Sequence, residues 1–318
     1  MSDKDIYRGL CEQEHLPLMM QAWWLDAVCI HKHWDVLLYR NAQDEVIAAM
    51  SYLLRQRAMF RYIVMPQHTQ IGGIWLSSKA TEAEQQAVAD CVAQQLKQMK
   101  LDYYYQQFAI GSPLPKLLEQ RGFRIDQRKT YRIEDTRDIE QLITLFSQNK
   151  RRQLKKASAL KVNNGLTPRE FYDFHCTCLK VRKRTIDYSY ELFECLYSNA
   201  HEHDATQIIA LQDENDVLLA AAMVVWDDKQ LYYLLPALLL NNGAERGAGA
   251  RLAVECMRLA QARHIAFDFE GSMAPSIANH YRQFATTPTA YYSVTKLYKP
   301  LFALLLLLNQ WHERLTMR

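Results

Sequence analysis

The sequence predicts a mixed α/β protein built from two tandem copies of one unit, each a mostly antiparallel sheet flanked by helices. Three observations carry that prediction. Each half contains two apolar runs arranged as a β-hairpin, each hairpin leads through another strand to an amphipathic helix, and each helix is followed by a short aromatic strand, a proline-marked turn, a short helix and a final strand. Setting Gly122 against Ala285 gives an offset of about 163, which also sets Tyr105 against Asp268.

In chain order, WDVLLYRNAQDEVIAAMSYLLR reads as a hairpin around Asn41 to Glu45. TEAEQQAVADCVAQQLKQM is an amphipathic helix opened by a capping box, Thr81 with Glu84. LDYYYQQF is the short aromatic strand, and LPKLLEQRGFR the short helix after it. The boundary is expected near residues 135 to 150, giving units 1–145 and 146–318. The second half opens on a basic helix, NKRRQLKKA, then repeats the order with a hairpin around Asp213 to Asp216, the helix GAGARLAVECMRLAQAR, the strand HIAFDFEGS and the short helix APSIANHYRQFAT. A terminal apolar run, Leu301 to Leu308, falls short of the ~20 residues that span a bilayer, so it is expected to be a docking helix.

Composition narrows the function. An apolar fraction of 49% in 318 residues suits a globular protein with a packed core. The seven cysteines are odd in number and scattered, which fits free thiols, and no cationic start followed by an apolar run marks a signal peptide, so the expected location is the cytoplasm. A net charge of +3 on 38 basic and 35 acidic residues argues against DNA binding through overall charge. The dense basic cluster is local: Lys150, Arg151, Arg152, Lys155 and Lys156. Arg151 with Lys155, and Arg152 with Lys156, are i, i+4 pairs that form one strip on a helix. Such a strip suits a phosphate-rich partner or an exposed solubilising face. The segments HKH, HEH and HCTC lack the paired spacing of a closed zinc site, and no metal is expected.

The two units resemble the GNAT acyltransferase fold. In that family the helix after the fourth strand begins with a glycine-rich turn that holds the coenzyme A pyrophosphate, and NNGAERGAGARL stands there. Gly243, Gly247 and Gly249 supply the turn, and Arg246-x-x-Gly249 resembles the start of its R/Q-x-x-G-x-G/A pattern, with Arg251 in place of the last small residue, which makes Arg246, Gly247 and Gly249 the implied cofactor contacts. The family's tyrosine, followed four residues on by Gly-Phe, corresponds to Tyr281 with Ala285 and Thr286; in the first half, Gly122 and Phe123 fit but Leu118 replaces the tyrosine. This makes the second unit the active copy and the first structural or acceptor-binding. The pair is similar to the FemAB-like aminoacyl and peptidyl transferases, through the basic helix, through FDFEGS with IANHYRQF, and through PLMMQAWWLDAV, which is similar to the opening helix of many GNAT-like relatives.

The resemblance implies transfer of an acyl or aminoacyl group to an amine, with acyl-CoA or aminoacyl-tRNA as donor, no permanently bound cofactor, and a small molecule or cell-wall precursor as acceptor. Alternation places Asp268 and Glu270 on one strand face as base or amine ligand, the alternative being a solvated face or a salt bridge to the basic helix. Tyr281 is the expected acid, Arg282 an expected phosphate contact, Gly271 a turn residue, and Ser272 a helix cap. Two alternatives stay open: an acyl-CoA-dependent N-acetyltransferase, and a non-catalytic protein that binds a phosphorylated ligand. Peripheral membrane contact through the terminal run and basic patch is a further expectation.

Overall fold

A computed structural model describes residues 2–240, 247–271 and 273–303. The elements in order are α1 (Asp3–Gln13), α2 (Ala22–Val28), β1 (Trp34–Arg40), β2 (Val46–Arg57), β3 (Phe60–Val64), β4 (Ile74–Leu76), α3 (Glu82–Gln98), β5 (Tyr103–Gln107), α4 (Leu114–Glu119) and β6 (Arg124–Ile133). They continue with α5 (Ile139–Thr144), α6 (Gln148–Lys156), β7 (Lys161–Asn163), α7 (Pro168–Val181), α8 (Tyr190–Glu202), β8 (Thr206–Gln212), β9 (Leu218–Trp226), β10 (Gln230–Leu238), α9 (Ala248–Arg263), β11 (Ala266–Asp268), α10 (Pro275–Arg282) and β12 (Thr287–Leu297).

The chain forms two compact units, Met1–Arg128 with Ala290–Arg318, and Lys129–Thr289. This differs from a division at 145/146: the chain leaves the first unit within β6 and returns to it within β12, so the first unit is discontinuous. A boundary sought in loops and composition misses this because both crossings fall inside strands.

In the first unit the strand order is β1-β2-β3-β5-β12-β6, with β4 also on β2. β1 with β2, β2 with β3, β2 with β4 and β5 with β12 pair antiparallel, whereas β3 and β5, which α3 joins as a crossover, are parallel. In the second unit the order is β6-β11-β10-β9-β8-β7, antiparallel except β10 with β11, joined by α9. A parallel pair needs such a crossover, so the shared hairpin, helix and parallel strand form one repeated unit. The hairpin turns repeat in detail. Asn41 Oδ1 accepts from the amides of Gln43 and Glu45, and Asp213 Oδ1 from those of Asn215 and Val217, while Asp44 and Asp216 take φ of +64° and +62°. These are side-chain-capped turns for which Asn and Asp are suited.

The cores follow the apolar stripes. Val88, Val92 and Leu96 of α3 pack with Ile63 and Tyr104, and Leu252, Cys256 and Met257 of α9 pack with Val224, Leu231 and Phe267. The Thr81–Glu84 capping box forms as the sequence indicates. Of the terminal apolar run, residues up to 303 are described and the rest lies outside the described residues. Leu301 is exposed, and buried Phe302 packs against Phe60, Tyr62 and Tyr103. Among the described residues no helix is long and apolar enough to cross a membrane.

Candidate active site

The strand that carries FDFEGS is shorter than its pattern suggests. β11 ends at Asp268, the last residue in register with β10, opposite Tyr232. Phe269 still donates its amide to Tyr131 O at 3.0 Å, but Glu270 and Gly271 then take φ of +60° and +62°. Two consecutive left-handed residues turn the chain sharply. A Cβ on Gly271 would lie 2.2 Å from Lys129 O and 2.7 Å from Thr130 Cα, so only glycine lets this turn rest against β6. The expectation of two carboxylates alternating along one strand is therefore corrected: Asp268 is in the strand, and Glu270 is in the turn beyond it.

Nor is Asp268 on a solvated face or bridged to the basic helix. It is 1% exposed, and its Oδ1 accepts from the Thr130 hydroxyl and, at 2.7 Å, from the Glu270 amide, while Oδ2 lies 3.7 Å from Arg132 Nε on β6. Burial raises its pKa to about 6, against the opposing pull of those hydrogen bonds and of Arg132. Glu270 is held well above the usual carboxylate range by burial and then by the neighbouring Asp268. Tyr281 stacks on Phe269 at 4.3 Å, and burial followed by the fields of Glu270 and Asp268 pushes its phenol up to about 12. The structure thus brings Asp268, Glu270 and Tyr281 together in a corner where burial raises the proton affinity of all three and neighbouring carboxylates raise that of Glu270 and Tyr281 further.

The raised Asp268 pKa has a stability consequence. The folded group binds its proton more tightly than the unfolded one, so its stabilising contribution is complete below pH ~3.8 and is lost as pH rises through about 6. The interval corresponds to about 3 kcal/mol. Asp268→Asn keeps an oxygen for Thr130 and Glu270 while abolishing the charge. Urea unfolding at about pH 4.5 and about pH 7.5 should show the variant gaining on the wild type at the higher pH; parallel changes in both proteins would refute the burial argument.

On α6, Arg151, Arg152, Lys155 and Lys156 are all exposed, and among the described residues none of their side chains has an ion-pair partner. Lys150 is different. It faces inward with Phe146 and Ala157, 2% exposed, with Nζ 3.2 Å from Gln153 Oε1, 3.2 Å from His280 Nδ1 and 4.5 Å from the centre of the Phe284 ring. Desolvation lowers its pKa to about 8, and desolvation with the lysine's charge lowers His280 to about 4. Sequence reasoning passes over this pair, although the spacing Phe146, Lys150, Leu154, Ala157 marks the inward face of the helix. It also misses a second basic cluster, Lys180, Arg182, Lys183 and Arg184, at the end of α7, all exposed. Arg182 Nη2 donates to Leu238 O at 3.0 Å, at the end of β10.

Of the glycine turn, residues 241–246 lie outside the described residues, and Gly247 and Gly249 are described. Gly247 caps α9 at φ +101°, and a Cβ there would lie 2.1 Å from Gln153 O of α6. Gly249 is in ordinary contact with Leu238, and Arg251 pairs with Glu255 at 2.6 Å. Arg246 lies outside the described residues, as does Ser272; α10 is instead preceded by Ala274, which makes no side-chain cap. Arg282 is exposed, with its guanidinium 5.6 Å from the Tyr131 ring centre. Among the described residues no three His, Cys, Asp or Glu side chains stand together as metal ligands.

No family model and no curated protein matches the chain. Solved structures do. FemX matches over 96% of this chain and 98% of its own, with a TM-score of 0.69 and 11% identity. L-PGS from Bacillus licheniformis matches over 99% and 98%, with 0.57 and 11%. A tandem GNAT protein from the clavulanic acid biosynthesis pathway matches over 92% and 93%, with 0.52 and 8%. The chain has the tandem GNAT fold that the FemAB-like group shares.

Proposed function

We propose that the second unit is a GNAT-fold transferase of the FemAB type that moves an acyl or aminoacyl group to an amine acceptor, a small molecule or a cell-wall precursor. The observation that carries this reading is the cluster of Glu270 and Tyr281, both with raised proton affinity, against the buried Asp268. Glu270 in its ionised form takes the proton from the ammonium. The freed nitrogen attacks the donor's carbonyl carbon, forming the C–N bond as the C–O or C–S bond to the leaving group breaks; Tyr281 gives its phenolic proton to the departing oxygen or sulfur and regains one from the second proton that the nitrogen sheds as it becomes an amide. Asp268 acts as a positioning residue, since its Oδ1 holds the Glu270 amide.

Of the two donors, aminoacyl-tRNA is the one this reading favours. Four exposed cations along α6 suit a polyanion, whereas the carbonyl of Gln153 beside Gly247 puts an acceptor where a pyrophosphate would need donors. Neutralising Arg151, Arg152, Lys155 and Lys156 together should reduce the salt slope of aminoacyl-tRNA binding by about 3 and weaken it more than about tenfold near 100 mM salt. Filter binding at several salt concentrations reads this directly. An unchanged slope would remove α6 from donor recognition, and saturable acetyl-CoA binding that displaces the RNA would favour the acyl-CoA-dependent N-acetyltransferase.

A further inference from the structure

We propose that the first unit carries an oxyanion-binding site of its own, built from Arg128, Tyr291 and Gln70 beside Tyr105, which takes a phosphate or carboxylate group. It does not rest on the reaction assigned to the second unit. Along β5, Tyr103, Tyr105 and Gln107 lie on the face opposite the core residue Tyr104, and β12 sets Ser293 opposite Gln107 and Thr295 opposite Tyr105. Tyr291 continues that face two residues before Ser293.

Arg128 Nε donates to the Tyr291 hydroxyl at 3.3 Å, and Gln70 Nε2 donates to the same oxygen at 3.1 Å. A phenol that accepts two hydrogen bonds retains its own proton to give. Tyr291 is 3% exposed, yet among the described residues that proton has no acceptor, and the two terminal nitrogens of Arg128 have none either. Asp126, two residues away in β6, pairs through Oδ1 with Arg124 at 2.7 Å and among the described residues makes no hydrogen bond or ion pair with Arg128, although its charge is felt there. A partly exposed guanidinium fork and a buried O–H, both without acceptors, match a ligand that only accepts, which is the chemistry of a carboxylate or phosphate.

The surroundings hold these groups in place before any ligand arrives. The Gln70 amide donates to Met19 Sδ at 3.0 Å, Thr69 Oγ1 accepts from Trp24 Nε1 at 3.0 Å, and the Gly72 amide donates to Gln107 O at 2.9 Å. Gly73, at φ +76°, lies so close to Phe108 that a Cβ would stand 2.9 Å from the ring. A loop fixed at Thr69, Gln70, Gly72 and Gly73 costs little further ordering on binding.

Calorimetric titration of the full chain with inorganic phosphate, and separately with acetate, tests the site at low ionic strength. The wild type should bind at least one of the two; phosphate alone or acetate alone names the group, and either supports the site. Arg128→Gln should weaken that binding by roughly 10- to 100-fold, and Tyr291→Phe, which removes one hydroxyl and keeps the buried ring, by roughly fivefold or more. The variant neutralised at Arg151, Arg152, Lys155 and Lys156 should keep the binding that Arg128→Gln removes. The proposal is overturned if neither anion binds, if Tyr291→Phe binds unchanged, or if only the α6 variant loses binding.

Discussion

With Glu270 as the proposed base, Glu270→Gln should lower kcat by about 10²- to 10⁴-fold, because glutamine preserves the size of the side chain and removes its ability to accept a proton. Tyr281→Phe should show a loss of similar order for the opposite reason, since the ring can stay stacked on Phe269 while the proposed donor disappears. The pH profile separates the two. Glu270 must be ionised to act, so kcat/KM in the wild type rises with pH through its raised pKa, and that limb is missing in Glu270→Gln. Tyr281 titrates at about 12, so no descending limb appears in the working range. Asp268→Asn loses much less than either, because the asparagine oxygen still accepts from Thr130 and from the Glu270 amide.

Gly271→Ala is the most damaging small substitution expected in the second unit. The added methyl meets Lys129 O at 2.2 Å at a φ of +62°, so the turn must move away from β6 and take Glu270 with it. The cost is about 2–4 kcal/mol, combining left-handed strain with overpacking, and the melting temperature falls by roughly 5–10 °C. Turnover should fall further than stability alone explains. Gly249→Ala is the matched control: its Cβ makes ordinary contact with Leu238 at 3.4 Å inside a helix, so thermal unfolding should shift little. Equal effects from the two alanines would contradict the geometry of the turn.

The repeat is legible because periodicity and turn chemistry survive divergence: Asn41 and Asp213 cap the same hairpin turn, and α3 and α9 make the same crossover. The exposed strip on α6 is legible from i, i+4 spacing for the same reason. What alternation misreads is FDFEGS, since strand periodicity assumes that the strand continues, and the left-handed Glu270 turns the chain directly after Phe269. Lys150 reads as one more surface charge because a cluster of like residues hides the single member that faces inward. The Arg128 site lies beyond any local pattern, since Gln70, Arg128 and Tyr291 meet only through the pairing of distant segments.

The central claim, that the second unit transfers an acyl or aminoacyl group with Glu270 as base, is tested most directly by following donor consumption. Labelled aminoacyl-tRNA and acetyl-CoA are each incubated with the protein and a lysine-bearing peptide as amine acceptor, comparing the wild type with Glu270→Gln. The account predicts that the wild type consumes a donor, with aminoacyl-tRNA preferred and label appearing on the peptide, and that Glu270→Gln is slower by about 10²-fold or more. Equal rates in the two proteins would remove Glu270 as the base, and a wild type that consumes neither donor would contradict the transfer itself.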